Sequence, residues 1–209
     1  DDWATQDNGN IVEGHVYGQE AFETVQRGID GALPDATVNI AAGTYVENII
    51  VDKTAHLIGT GATTVIYPAE SDVGLPDPDA GPSFRGSQVI VVAAHNVEIA
   101  HLVVDGDNPV LTSGVVRNGA DVDARNGIIE GDVVCDGTFV HDCTVKNIYL
   151  RGIYARSGGD DFHFAGNVVQ NIAGGAQSIG IFNFGGAGII EGNTVSLASD
   201  GIAANWSRG

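Results

Sequence analysis

Two short motifs take turns along the second half of the chain, and their alternation constrains the fold more than any other feature. The first is a glycine followed by apolar residues: "NGIIEG" at 126–131, "RGIYAR" at 151–156, "IGIFNF" at 179–184 and "DGIAAN" at 200–205. Its glycines, 127, 152, 180 and 201, recur every 21 to 28 residues. The second comprises "VEIAHLVVDG" from Val97, "FVHDCTVKNI" from Phe139, "HFAGNVVQNI" from His163 and "IIEGNTVSLA" from Ile189. Aligning Ile99, Val140, Phe164 and Ile190 stacks Leu102, Cys143, Asn167 and Asn193, then Val104, Val145, Val169 and Val195.

Each segment is short and alternates with period two, which reads as strand. Isolated strands of this length cannot bury an apolar side. Stacking them in parallel buries it, with like residues in columns. The pattern therefore predicts an all-β parallel β-helix with aliphatic inner columns and a short amide ladder of Asn167 and Asn193 at a turn. Ahead of the repeats, Ala21, Phe22, Val25, Ile29 and Ala32 share one side at helical spacing, while Glu20, Glu23, Arg27 and Asp30 face away. We expect an amphipathic helix at about 20–32 that caps the open end of the stack, within an N-terminal segment 1–36. Rungs then fill 37–209 of a single domain, with no comparable cap after "DGIAANWSRG". The start at Asp1-Asp2-Trp3 and the absence of Met fit a processed secretory protein or a fragment of a longer chain.

The stretch "QEAFETVQRGIDGALPDATVNIAAGTYVENIIVDKTAHLIGTG" at 19–61, together with the repeats, resembles the right-handed parallel β-helices of the pectin-lyase-like superfamily. It is similar to the opening of many secreted or surface β-helix proteins, among them the NosD-like periplasmic proteins and the pectin methylesterases. The resemblance implies the fold and a secreted, cell-surface or periplasmic location. Its bearing on activity is weak, because enzymes, adhesins and structural proteins share this scaffold.

The 209 residues carry a formal net charge of −18, from 27 acidic and 9 basic side chains. That excludes a basic nucleic-acid footprint and suits a solvated surface, a divalent cation or a cationic partner. No apolar run reaches the length of a membrane span. Cys135 and Cys143 could make one bridge in an oxidising compartment or stay as buried thiols; the repeat register points Cys143 inward.

The spacing between motifs expands twice at one corner, at about 68–87 and about 107–124. Stacked insertions would build a wall beside the helix, where function is commonly mounted. Facing it from shorter rungs are Lys146, Asn147, Tyr149, Arg151, Gln170 and Asn171, a candidate polysaccharide surface. Beside it the register gives an outward column of Ile90, Ile129, Tyr154, Phe182 and Ala203, with Tyr154 and Phe182 as platforms for a sugar ring or for a covering loop or subunit. A polysaccharide lyase would need Ca2+ or a carboxylate site and a basic side chain. Asp105 and Asp107 are candidate Ca2+ ligands, with Asp121 and Asp123 across the second insertion. Lys146 and Arg151 are candidate bases if the chain is an enzyme.

The paired aspartates Asp160 and Asp161 resemble those of polygalacturonase-type hydrolases, whose Gly-His-Gly and Arg-Ile-Lys companions are absent. "DFHFAGN" is loosely similar to a pectin methylesterase stretch, but the Gln-Asp pair of those enzymes is missing from "VHDCTVKNI". Asp160-Asp161 reads best as a turn between rungs. The histidines, 15, 56, 95, 101, 141 and 163, lack tight ligand spacing, although His101 and His141 fall on neighbouring rungs, where a two-histidine metal contact is open to them. The leading expectation is a secreted or surface β-helix module that binds carbohydrate, assembles with itself or with a chain covering its C-terminal end, or serves as structure. The alternative is a polysaccharide lyase or glycoside hydrolase.

Overall fold

The computed structural model describes residues 11–12, 15–16, 18, 21–74 and 86–205. Glu20, the 1–3 start, residues 75–85 of the first expected insertion and the final 206–209 lie outside them.

Parallel strands stack in three faces. The first is a six-stranded sheet of Ala36–Asn39, Ala55–Ile58, Glu98–Ala100, Phe139–His141, Asp160–Ala165 and Ala187–Glu191. The second stacks Gly43–Val46, Thr64–Tyr67, Val103–Asp105, the first half of Thr144–Ala155, Val168–Ile172 and Thr194–Ala198. The third stacks Ile49–Val51, Gln88–Val92, Ala124–Glu130, the second half of Thr144–Ala155, Ile179–Phe184 and Asp200–Asn205. Each rung contributes once to every face, and the unbroken strand Thr144–Ala155 joins the second and third faces into one sheet. This is the parallel β-helix that the two motif series imply.

The columns hold the fold together. Ile99 pairs with Val140 and Val140 with Phe164, then Phe164 with Ile190; Val104, Val145, Val169 and Val195 stack in the same way. The recurrent glycines stand where the third face crowds the valines of the second. A Cβ on Gly152 would lie 2.5 Å from the Gly180 carbonyl and 2.6 Å from Val169 Cγ1. Nothing larger fits at Gly127, Gly152 or Gly180, whereas at Gly201, on the last rung, a Cβ would stand 4.0 Å from Val195 in ordinary contact. Asn167 and Asn193 form the expected ladder: Asn193 Oδ1 accepts from the Asn167 backbone N–H at 2.9 Å and from Asn167 Nδ2 at 3.0 Å. Asn167 Oδ1 in turn accepts from the Cys143 N–H at 3.0 Å. Cys135 and Cys143 are buried free thiols, and burial pushes both up to about 12.

The cap helix is Val25–Gly31, shorter than the amphipathic pattern suggested. Thr24 starts it, its Oγ1 accepting the Arg27 N–H at 3.2 Å. The Glu47 carboxylate takes the next free donors, Val25 N at 2.8 Å and Gln26 N at 2.9 Å. Val25 and Ile29 are buried against the first rung. Gln26 bonds both the N–H and the carbonyl of Ile50, so a side-chain amide satisfies part of the open edge of the first strand stack.

The sequence register slips by one residue on the third face. Gln88 pairs with Asn126 and Ile90 with Ile128, so Ile90 belongs to an inner column. The outward column is Ile50, Val91, Ile129, Tyr154, Phe182 and Ala203. "QVIVV" is apolar beyond its first residue, so no alternation pins the register there, and a slip of one turns every side chain over.

Candidate functional site

The chain leaves the stack twice at the same corner between the second and third faces, once between the strands Thr64–Tyr67 and Gln88–Val92 and, one rung later, over 106–123. The second carries its own antiparallel pair, Val116–Arg117 with Ala120–Asp121. It is tied down by Arg117 Nε, which donates to the Ala173 carbonyl at 2.9 Å, and by a chain of amides. Asn147 Nδ2 donates to Asp105 Oδ1 at 2.7 Å, Asn171 Nδ2 to Asn147 Oδ1 at 2.8 Å, and Asn118 Nδ2 to Asn171 Oδ1 at 2.6 Å. Asn147 and Asn171 occupy the same corner on successive rungs with φ of 57° and 55°. That left-handed conformation suits asparagine better than most residues. Both hold the wall in place.

Asp105, Lys146, Gln170 and Ser196 form one outward column along the second face. Asp105 is 5% exposed, and Lys146 Nζ sits 2.9 Å from its Oδ2. The ammonium is held above its ordinary range, first by that hydrogen bond and despite partial burial. Such a lysine stays charged and is a poor base. Asp105 Oδ1 also accepts the Asp107 N–H at 3.2 Å, so any cation at Asp105 competes with three donors already in place.

Asp107 and Asp123 are raised, chiefly by burial; neighbouring carboxylates push Asp107 further up, Asp105 first among them. Asp123 receives Ser71 Oγ at 2.5 Å and the Asn108 N–H at 3.0 Å. Asp105 is committed to Lys146, and among the described residues Asp105, Asp107, Asp121 and Asp123 are not gathered into a group close enough to share an ion, so the expected Ca2+ ligands stay apart.

The remaining expected residues are less open. Tyr149 is 4% exposed and packs with Leu150, Val73 and Val122 beneath the two connections. Arg151 donates to the Gln177 and Leu150 carbonyls, and its guanidinium lies 4.9 Å from the centroid of the Phe182 ring. Tyr154 and Phe182 stack on one another at 5.5 Å and are 7% and 9% exposed. They cluster with Ile129 and Ile179 as a second apolar layer outside the sheet. The aromatic column is thus covered, the arrangement expected for a buried layer and not for an open sugar platform.

The first face carries a group that the sequence only hinted at. His56 and Glu98 are register neighbours, and His56 Nδ1 lies 2.7 Å from Glu98 Oε2. The other oxygen of Glu98 meets His141 Nε2 at 2.9 Å, and His141 Nδ1 meets Asp142 Oδ2 at 2.8 Å. With Asp35 at 3.3 Å from His56 Nε2, acids and imidazoles alternate across the rungs. The Glu98 bond, ahead of a smaller opposing burial effect, raises His56. Burial pulls His141 down, but its bonds to Asp142 and Glu98 outweigh it and the net direction is up. Phe139 stacks between His141, at 4.1 Å, and His163, at 4.9 Å. The signal was in the outward positions of the first-face columns, readable only once the register was known.

No protein-family model and no curated protein matches the chain. Its backbone is similar to a crystal structure of pectin methylesterase, an aspartate-to-alanine mutant in complex with a hexasaccharide. The TM-score is 0.55 at 16% identity, over 80% of this chain and 51% of that one. The fold is a right-handed parallel β-helix. The chain spans about half the length of that protein, and at such low identity the likeness extends to the fold alone. Among the described residues no helix is long and apolar enough to cross a membrane.

Proposed function

We propose that the chain is a secreted or cell-surface module that binds a polysaccharide along its second face, beside the 106–123 wall, without cleaving it. The observation that carries this reading is the Lys146–Asp105 ion pair at 2.9 Å. The side chain that a lyase would use as its base is held protonated by a buried carboxylate, and Arg151 is committed to carbonyls and to the Phe182 ring. Lys146 and Gln170 instead offer a polar column of partly exposed donors at the strand spacing of about 4.8 Å. The solved neighbour holds a hexasaccharide on the same scaffold, which supports a carbohydrate ligand. With Asp105, Asp107, Asp121 and Asp123 at the wall, the surface favours a neutral polysaccharide, or an acidic one bridged by Ca2+.

The rival reading is a hydrolase working through Asp107 and Asp123, whose raised carboxyls are the one feature in its favour. A calorimetric and product screen of neutral and acidic polysaccharides, with and without Ca2+, separates the two. Saturable binding without products, weakened about tenfold in Gln170→Ala, is the expected result. Unsaturated products that vanish in Lys146→Ala or Arg151→Ala would overturn it in favour of a lyase, and reducing ends lost in Asp107→Asn in favour of a hydrolase.

A further inference from the structure

The second chemically distinctive group lies on the first face, away from the wall. His101 and Asp142 occupy the same corner on consecutive rungs, one place beyond the Ala100–His141 pair. Both take the left-handed conformation, with φ of 55° and 51°. Successive rungs stand about 4.8 Å apart, so this corner brings the side chains of two rungs together. One donor atom from each of His101, His141 and Asp142 lies within 4.8 Å of the other two, and the His101 and His141 rings meet edge-on at 5.4 Å.

We propose that His101, His141 and Asp142 form a site for a borderline divalent transition metal of the Zn2+ class, bridging the third and fourth rungs. Two imidazoles and a carboxylate suit such an ion, whereas Ca2+ and Mg2+ prefer all-oxygen sites. Donors at about 2.0–2.2 Å around a tetrahedral ion stand roughly 3.3 Å apart. His141 Nδ1 and Asp142 Oδ2, at 2.8 Å, need only open slightly. The exposed ring of His101 supplies the remaining movement, and a water completes the shell.

The setting behind the ligands supports the assignment. His141 Nε2 faces Glu98 Oε1 at 2.9 Å. An N–H donated there leaves the Nδ1 lone pair turned toward Asp142, the orientation that metal-bound histidines take from a carboxylate partner. Glu98 is itself held from its other oxygen by His56 at 2.7 Å, so the ring of His141 is aimed before any ion arrives. The net charge of −18 adds a long-range attraction for cations.

Titrating the whole chain with Zn2+ in near-physiological salt and excess Ca2+ and Mg2+ tests the site, with the absorption spectrum of bound Co2+ reporting nitrogen ligation. One equivalent should bind with micromolar affinity and raise the melting temperature. His101→Asn, which keeps a residue tolerant of the left-handed turn, and Asp142→Asn should each weaken binding at least about tenfold. Glu98→Gln, a positioning variant, should weaken it about 10- to 100-fold and alter the imidazole nitrogen signals of His141. His163→Ala, on the same face but outside the group, should bind as the parent does. Metal-free melts matching the parent establish that the variants are folded. Parent-like affinity in both His101→Asn and Asp142→Asn, or weak non-saturating binding by the parent, would overturn the assignment.

Discussion

Glu130, at the end of the strand Ala124–Glu130, is 2% exposed. Its Oε2 accepts the Arg156 N–H at 2.6 Å, while Oε1 is buried with no hydrogen-bond partner. Burial pushes the carboxyl from 4.5 up to about 7, the Arg156 N–H pulls it part of the way back, and the charge of Asp136 adds a small rise. At ~1.4 kcal/mol per pH unit, keeping this carboxylate ionised in the folded chain costs about 3 kcal/mol. Between those two values the native chain holds a proton that the unfolded chain has released. Its contribution is therefore greatest below about pH 4.5, falls as pH rises and levels off above about 7. Glu130→Gln keeps an oxygen for the Arg156 N–H and removes the ionisation. The variant should match the parent near pH 4.5 and exceed it by up to about 3 kcal/mol at pH 8, read from urea midpoints at constant slope. Taking the difference between the two proteins at each pH cancels the titration of other groups, His56 among them. An equal effect at both pH values, or an advantage confined to the acid side, would refute the reasoning.

Other perturbations test the columns and corners. Gly152→Ala places a methyl against the Gly180 carbonyl and Val169 and should cost about 2 kcal/mol or more in urea denaturation; a neutral result would mean that the inner column has slack. Leu197 stands at the corner that Asn147 and Asn171 occupy on earlier rungs, with φ of 53° and 64% exposure. Leu197→Asn should raise stability by about 1 kcal/mol by relieving the left-handed strain, and a lower melting temperature would count against that account. Asn171→Ala cuts the amide chain that holds the second insertion, so limited proteolysis should nick the 113–121 segment faster while the stacked strands resist.

The rungs were legible from the sequence because their signal is local and repeated. A short strand alternates with period two, and like residues recur at each turn of the stack, so Val104, Val145, Val169 and Val195 announce their column without any knowledge of the rest. The cap helix and the two insertions could also be placed, since each interrupts that rhythm. The rhythm fails where a strand is apolar at nearly every position: "QVIVV" carries no alternation, and the repeat pattern alone puts Ile90 on the wrong side of the third face.

The contacts that decide chemistry cross rungs. Asp105 and Lys146 are 41 residues apart, and pairing them by register was possible; that the ion pair would be half-buried and keep the lysine charged depended on how the 106–123 connection packs. Tyr154 and Phe182 pointed outward as expected, yet a second apolar layer formed outside the sheet and buried them. The imidazole–carboxylate ladder of His56, Glu98, His141 and Asp142 lies beyond sequence reading for the same reason. His141 and Asp142 are chain neighbours, but His56, Glu98 and His141 stand on three successive strands, and only stacking at about 4.8 Å brings residues some 40 positions apart within hydrogen-bond reach. The sequence by itself determined a solenoid with aliphatic columns, because burial demands the repeat. Which polar groups meet, which charge is neutralised and which aromatic ring is covered were decided by the tertiary structure, through register and the path of two connections.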